Sequence, residues 1–324
     1  MFSMKKTSKE KLISAAAAFI SAAVLLSGSG MRMRTLAQYA EDAYDIGSRT
    51  DYGQRSVVGS VPVTAGTNAD VAGTMSRRSI AVYIDGVRYP GDAFLYKETT
   101  YVGLREFAKT IAGAAVSWNG STNTATAKTS SVTVTATKGK EYISANGRYL
   151  WTKTGIIIRN DIMYVPVRAL CIAFGAALTW NGTSYTVNIN KGSGTIRSGA
   201  SFYDSDEVYW LSKIIHAESR GEPLTGKIAV GNVVLNRVRS KDYPNTIYGV
   251  IFDKKYGVQF SPVADGSINL EPDTESIIAA KLCLEGYTVS TSILFFINKN
   301  IADNMWVTNT RPLAVSIGKH DFYA

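Results

Sequence analysis

Residue 218 is a glutamate in an unexpected place. Val208, Leu211, Ile215 and Glu218 recur at spacings of three, four and three, which lays them along one face of a helix. Three of the four are apolar, so the stripe faces a core and takes a carboxyl group with it. Burial strips water from a carboxylate and raises its pKa. Gly221 and Pro223 end the helix just beyond, and its negative end raises the pKa further. A carboxylic acid that stays neutral near pH 7 can hand a proton to a leaving group. The same side chain could equally serve as a structural ion-pair partner, to Lys213, Arg220, Arg237 or Arg239. The spacing alone leaves both readings open.

Other side chains could line a groove around such an acid. Glu222, Asn236, Gln259, Phe260, Asp265, Asn298 and His320 are the candidate substrate-binding residues. Glu222 lies one turn past Glu218 and also fits the role of a loop anchor. Asn232 and Asn236 share one edge of a helix that is otherwise apolar, and buried amides need partners. They could hold the Glu218 loop or line a groove. His216-x-Glu218 with distant His320 departs from the His-Glu-x-x-His spacing of zinc peptidases. With two histidines and two cysteines in the chain, neither a histidine-rich metal site nor a four-cysteine zinc site is available, and no cofactor is expected. Cys171 and Cys283 each sit in an apolar helical stretch and read as buried free thiols.

These residues need elements to position them. Asp204 or Ser205 suits a helix N-cap, with Asp206 and Glu207 in the first turn. The next helix runs from about Thr225 to Arg239. Its apolar residues (Ile228, Ala229, Val230, Val233, Val234, Leu235 and Val238) cover most of its circumference, as expected of a core helix. A further helix spans Thr274 to Leu284 and stops at Gly286. Two strands, Ile293–Asn298 and Leu313–Gly318, close the chain, with His320 just past the second.

The whole chain has 324 residues, 45% of them apolar and 19% charged, enough to bury cores and too few charges for wholesale disorder. Lys5, Lys6, Lys9 and Lys11 precede a 15-residue apolar run, Leu12–Leu26, and small residues follow. This is the pattern of a secretory signal or an uncleaved anchor over residues 1–30. The product is expected outside the cell, touching membrane only through an uncleaved segment. Residues 31–78 read as a flexible linker, with one short helix possible at Thr35–Ile46. The net charge of +9 is uneven: residues 79–200 hold thirteen Lys/Arg and six acids, whereas residues 201–324 hold twelve and fourteen. A basic middle favours anionic partners such as nucleic acid or wall polymers. No aromatic-basic motif supports nucleic acid.

The middle is internally duplicated. Tyr101-Val102-Gly103-Leu104-Arg105 matches Tyr164-Val165-Pro166-Val167-Arg168, and Trp118-Asn119-Gly120 matches Trp180-Asn181-Gly182. Each unit reads strand, helix, strand, with a helix over Ala169–Phe174, a hairpin turn at Asp85-Gly86, and alternation at Tyr185, Val187 and Ile189. Residues 79–195 therefore form a small pseudo-duplicated α+β domain. The paired motif resembles the copper amine oxidase N-terminal-like domain, which implies a non-catalytic module of exported proteins. Residues 79–200 contain no histidine, so copper is not expected. Tyr101, Arg105 and Trp118 fit framework roles; exposed tryptophans could instead stack on sugars.

Residues 203–324 resemble the SleB/CwlJ cell wall hydrolase family, the catalytic domain of spore cortex-lytic enzymes. The resemblance rests on Trp210-Leu211, Ala217-Glu218-Ser219-Arg220-Gly221-Glu222-Pro223, Val233-Val234-Leu235-Asn236-Arg237-Val238, Gln259-Phe260-Ser261, Asp265-Gly266 and Gly318-x-His320-x-Phe322. It implies a reduced lysozyme-like α+β fold acting on peptidoglycan glycan strands, with Glu218 as the catalytic acid. The family's Tyr-Asn-Pro is Ile297-Asn298-Lys299 here, so one substrate-lining aromatic is absent. A two-carboxylate glycosidase needs a second acid, for which Glu222 and Asp265 are the candidates. A single acid favours a lytic transglycosylase over a muramidase. A zinc amidase of the same wall and a non-catalytic wall-binding protein are the rival readings.

Overall fold

Alternating small and β-branched residues build the first half of the molecule. In Thr133–Thr137 the pattern sends Val134 and Ala136 inward and leaves the threonines half-exposed. The computed structural model describes residues 78–255, 257–298, 300 and 306–324. The expected export segment, the linker through residue 77 and the helix at Thr35–Ile46 lie outside the described residues.

The chain opens with β1 (Arg78–Ser79), β2 (Ala81–Ile84), β3 (Val87–Arg88), β4 (Ala93–Tyr96) and β5 (Thr99–Gly103), then helix α1 (Leu104–Ala112). Next come β6 (Ala115–Asn119), β7 (Thr124–Lys128), β8 (Thr133–Thr137), β9 (Tyr142–Ala145) and β10 (Arg148–Trp151). β11 (Ile157–Arg159), β12 (Ile162–Pro166), α2 (Val167–Ala173), β13 (Ala177–Asn181) and β14 (Thr186–Asn190) complete this half. Three sheets result, ordered β1-β4-β5-β12-β11, β10-β9-β8-β7-β6 and β13-β14-β2-β3. The repeated motifs meet in the first sheet, where β5 and β12 run antiparallel with Val102 opposite Val165. Asp85 and Gly86 both take positive φ and close the β2–β3 hairpin as expected. Tyr185 departs from the expected alternation: it sits in the turn at φ 52° and is exposed, while Val187 and Ile189 are buried. Tyr101 is fully buried and its hydroxyl donates to the Gly155 carbonyl at 2.8 Å, a framework role. Trp118 and Trp180 instead expose 46% and 40% of their surface.

The second half is mainly helical. It runs α3 (Gly199–Phe202), α4 (Ser205–Ser219), α5 (Leu224–Arg239), α6 (Ile247–Ile251), α7 (Ser261–Asp265) and α8 (Thr274–Leu284). Then follow β15 (Phe295–Asn298), α9 (Trp306–Thr310), β16 (Leu313–Ile317) and β17 (His320–Tyr323). Asp204 caps α4, its carboxylate accepting from the amides of Asp206 and Glu207 at 2.9 and 3.1 Å. Helices α4, α5 and α8 pack on one another around Leu211, Ile215, Val233, Val234 and Ala279, all fully buried. The closing sheet has three strands rather than the expected two, ordered β15-β17-β16. His320 therefore opens a central strand instead of lying past an edge.

Each half has its own apolar core, and the two meet where β10 lies on α8. Arg148 donates twice to the Glu285 carboxylate, at 2.8 and 2.6 Å. The Tyr203 hydroxyl donates to the same carboxylate at 2.7 Å, and the Arg148 guanidinium lies 3.5 Å over the Phe202 ring. Trp151 stacks on Tyr287 at 4.3 Å. The two cores thus belong to one compact unit.

Candidate active site

Glu218 sits in the last turn of α4, with Leu211 and Ile215 below it on the same face. The residue is half-buried, and its pKa is pushed up to about 7. Burial is the main cause, the negative charge of Asp265 adds to it, and the guanidinium of Arg237 opposes both. Asp265 ends α7 in solvent. Hydrogen bonds from Ser267, including its amide at 2.8 Å, hold Asp265 below the usual carboxylate range. The two carboxyl groups sit in opposite environments: burial raises the pKa of one, and hydrogen bonds from Ser267 lower that of the other. This separation of environments is what divides acid from base in a glycosidic site.

Arg237 was expected only as one of several ion-pair partners for Glu218. It lies in the last turn of α5 and is 5% exposed. Its Nε donates to the Leu294 carbonyl at 2.9 Å. The rings of Tyr243, Phe260 and Phe295 surround the guanidinium at 5.1, 5.1 and 5.6 Å. The sequence signal for it was a charge inside a helix whose apolar residues cover most of its circumference.

The candidate groove residues divide. Phe260 is buried and forms one wall around Arg237, with Phe296 at 6.5 Å from its ring. Asn298 and His320 lie opposite each other in the β15–β17 ladder. His320 is buried, meets Phe296 edge-on at 5.5 Å, and burial lowers its pKa. Gln259 is half-buried and donates to the Gly257 carbonyl at 3.2 Å.

Two other candidates have framework tasks. Asn236 is buried and its amide donates to the carbonyls of Ser290 and Ile293 at 3.0 and 2.9 Å. Asn232 accepts from the Val289 amide at 2.7 Å and donates to the Tyr287 carbonyl at 3.0 Å. The pair clamps residues 287–293, not the Glu218 loop. Glu222 is buried and accepts from the Lys319 amide at 2.9 Å, with His320 Nδ1 at 3.9 Å from its other oxygen. Gly318 beside it has φ 58°, and any side chain there would collide with the Glu222 carboxylate. The anchor role considered for Glu222 is therefore the one its contacts display. His216 faces a different neighbour from Glu218, accepting from the Asp273 amide at 3.3 Å. Cys171 and Cys283 are buried free thiols.

A helix-borne acid beside an aromatic-walled guanidinium, next to a three-stranded sheet, is the setting in which family relationships become informative. Residues 221–323 match the family model described as Cell Wall Hydrolase, a match that begins just after Glu218. Residues 83–189 match the Copper amine oxidase N-terminal domain. The chain therefore carries a cell wall hydrolase domain behind a copper amine oxidase N-terminal-like domain. Among individual proteins, it is 38% identical over 120 residues to a spore cortex-lytic enzyme of Bacillus cereus, covering 37% of this chain and 45% of that one. The corresponding Bacillus subtilis enzyme is 33% identical over 120 residues, with 38% of its length covered. The chain thus spans less than half the length of these curated relatives. It also resembles the solved catalytic domain of the germination-specific lytic transglycosylase SleB from Bacillus anthracis. That likeness is 36% in identity, covers 40% of this chain and all of that one, and has a TM-score of 0.35.

Proposed function

We propose that this chain cleaves the glycan strands of peptidoglycan, with Glu218 as the single general acid and base. The observation that carries this reading is the acid's pKa of about 7 on a half-buried helix end, beside a carboxylate that stays ionised. The match to the Cell Wall Hydrolase model and relatives named spore cortex-lytic enzymes support the same reading. Protonated Glu218 gives its proton to the oxygen of the β-1,4 bond between N-acetylmuramic acid and N-acetylglucosamine. The C1–O bond breaks as oxocarbenium character develops at C1. The resulting carboxylate then takes a proton from the incoming nucleophile. With the C6 hydroxyl of the same muramic residue as nucleophile, the product is a 1,6-anhydro sugar and the reaction is lytic transglycosylation. Groove contacts fall to Phe260, Gln259, Asn298 and His320.

One observation favours a second outcome. Asp265 acts electrostatically on Glu218 and is held ionised, so it could orient water in place of the C6 hydroxyl. Mass spectrometry of released muropeptides separates the two: anhydro ends mark transglycosylation and reducing ends mark hydrolysis. E218Q should lower release from sacculi by about 10²–10⁴-fold with the fold intact. If the variant releases muropeptides at the wild-type rate, the protein is a binder and the acid assignment fails.

The basic half supplies a second contact with the wall. Lys97, Lys128, Lys138, Lys140 and Lys153 are all exposed and together attract anionic wall polymers. Replacing them with glutamine should weaken binding to sacculi at low salt and leave it unchanged at high salt.

A further inference from the structure

Arg237 poses a physical problem that its local contacts do not solve. The guanidinium is permanently charged and 5% exposed, and burying a cation without a contacting anion is costly. Its Nε is tied to the Leu294 carbonyl, yet its Nη1 is buried with no hydrogen-bond partner among the described residues. A buried donor left open in this way calls for an explanation. Three aromatic rings at 5.1, 5.1 and 5.6 Å hold the plane in place and exclude water from it. The cage draws on three of the elements around the candidate site: Tyr243 follows α5, Phe260 precedes α7, and Phe295 opens β15.

We propose that Arg237 is the positioning residue of the acid: its caged guanidinium, fixed by Leu294 and three rings, holds the negative charge that Glu218 acquires on giving up its proton. The inference rests on Glu218 being the acid. The charges on Arg237 come from Tyr243, Asp253 and Glu218; those on Glu218 come from Arg237 on α5 and Asp265 on α7. With Glu218 protonated, Asp253 is the carboxylate that acts on Arg237. Once the proton leaves, a second anion stands within its field, in surroundings that screen little. The stabilisation therefore appears along the reaction and is weak before it, which is the kind that raises turnover. It also keeps the acid from becoming too weak to donate, because Asp265 and burial both push the other way.

The test is a carboxyl-carbon NMR titration of Glu218 in the full chain, assigned by its loss in E218Q, alongside kcat and KM on soluble glycan oligomers. R237M removes the charge and should raise the Glu218 midpoint by about one unit. It should also lower kcat about tenfold with KM little changed. R237K keeps the charge and should hold the midpoint near the wild-type value. If R237M does not fold, R237Q retains a donor toward Leu294 and reads the same midpoint. An unchanged midpoint in a folded, uncharged variant overturns the proposal, as does a rise in KM with kcat intact. The titration is independent of turnover, so a shifted midpoint in an enzyme that E218Q leaves active would retain the Arg237–Glu218 coupling and discard the acid assignment.

Discussion

A carboxyl group that keeps its proton to about pH 7 works against the fold that holds it. The ordinary value is 4.5, and the folded value is about 7. Between these values the native state binds a proton that the unfolded state has released. Stability therefore falls as pH rises through this window, and the loss is complete above it. The effect is on the order of 3 kcal/mol. E218Q cannot ionise, so it should be more stable than the wild type at pH 8 and equal to it near pH 4, as read by urea unfolding. Catalysis follows the same proton. Release of muropeptides should decline above pH 7, and D265N, by removing a negative neighbour, should move that decline to lower pH. The position of the glutamate on an apolar stripe was legible in the sequence, because a helix face follows from spacing. Arg237 and Asp265 could be named only among several candidates, since both lie on other helices and reach Glu218 through tertiary packing.

Caps and terminators made the helices readable. Asp204 before α4, Asp273 before α8 and Gly286 after it stand where their types predict, and the observed bounds of α8 are those expected. Strands were harder. β17 is buried at all four positions, so it shows no alternation, and its first residue, His320, was expected just past the sheet and not in it. β9, β10 and β11 are short and take their burial from neighbouring sheets or from the second core, which no local pattern records. The asparagines of α5 were recognised as buried amides in need of partners, but the partners lie more than 50 residues away. N236A would leave the Ser290 and Ile293 carbonyls without their donor. It should destabilise the protein by about 1–3 kcal/mol. Hydrogen exchange should show the amides of residues 287–294 opening before those of α5 itself.

Across the whole molecule the decisive contact is an ion pair between the two halves. Arg148 and Glu285 are 7% and 9% exposed at their side chains, and each is left with a buried, uncompensated charge if the other is removed. R148A and E285A should each cost about 3–5 kcal/mol, and the double variant should cost less than their sum. Chemical denaturation of all three, compared in a double-mutant cycle, measures the coupling. Composition suggested two modules and placed the basic excess in the first, but nothing in either sequence segment advertised that β10 would lie against α8. The seam has a practical consequence for the stretch from residue 191 to residue 198 that joins the halves. A protease that cuts there severs one peptide bond and leaves the bidentate grip of Arg148, the Trp151–Tyr287 stack and the hydrogen bond from the Tyr149 amide to the Tyr203 hydroxyl untouched. The nicked fragments should co-elute on gel filtration in native buffer and part only in denaturant.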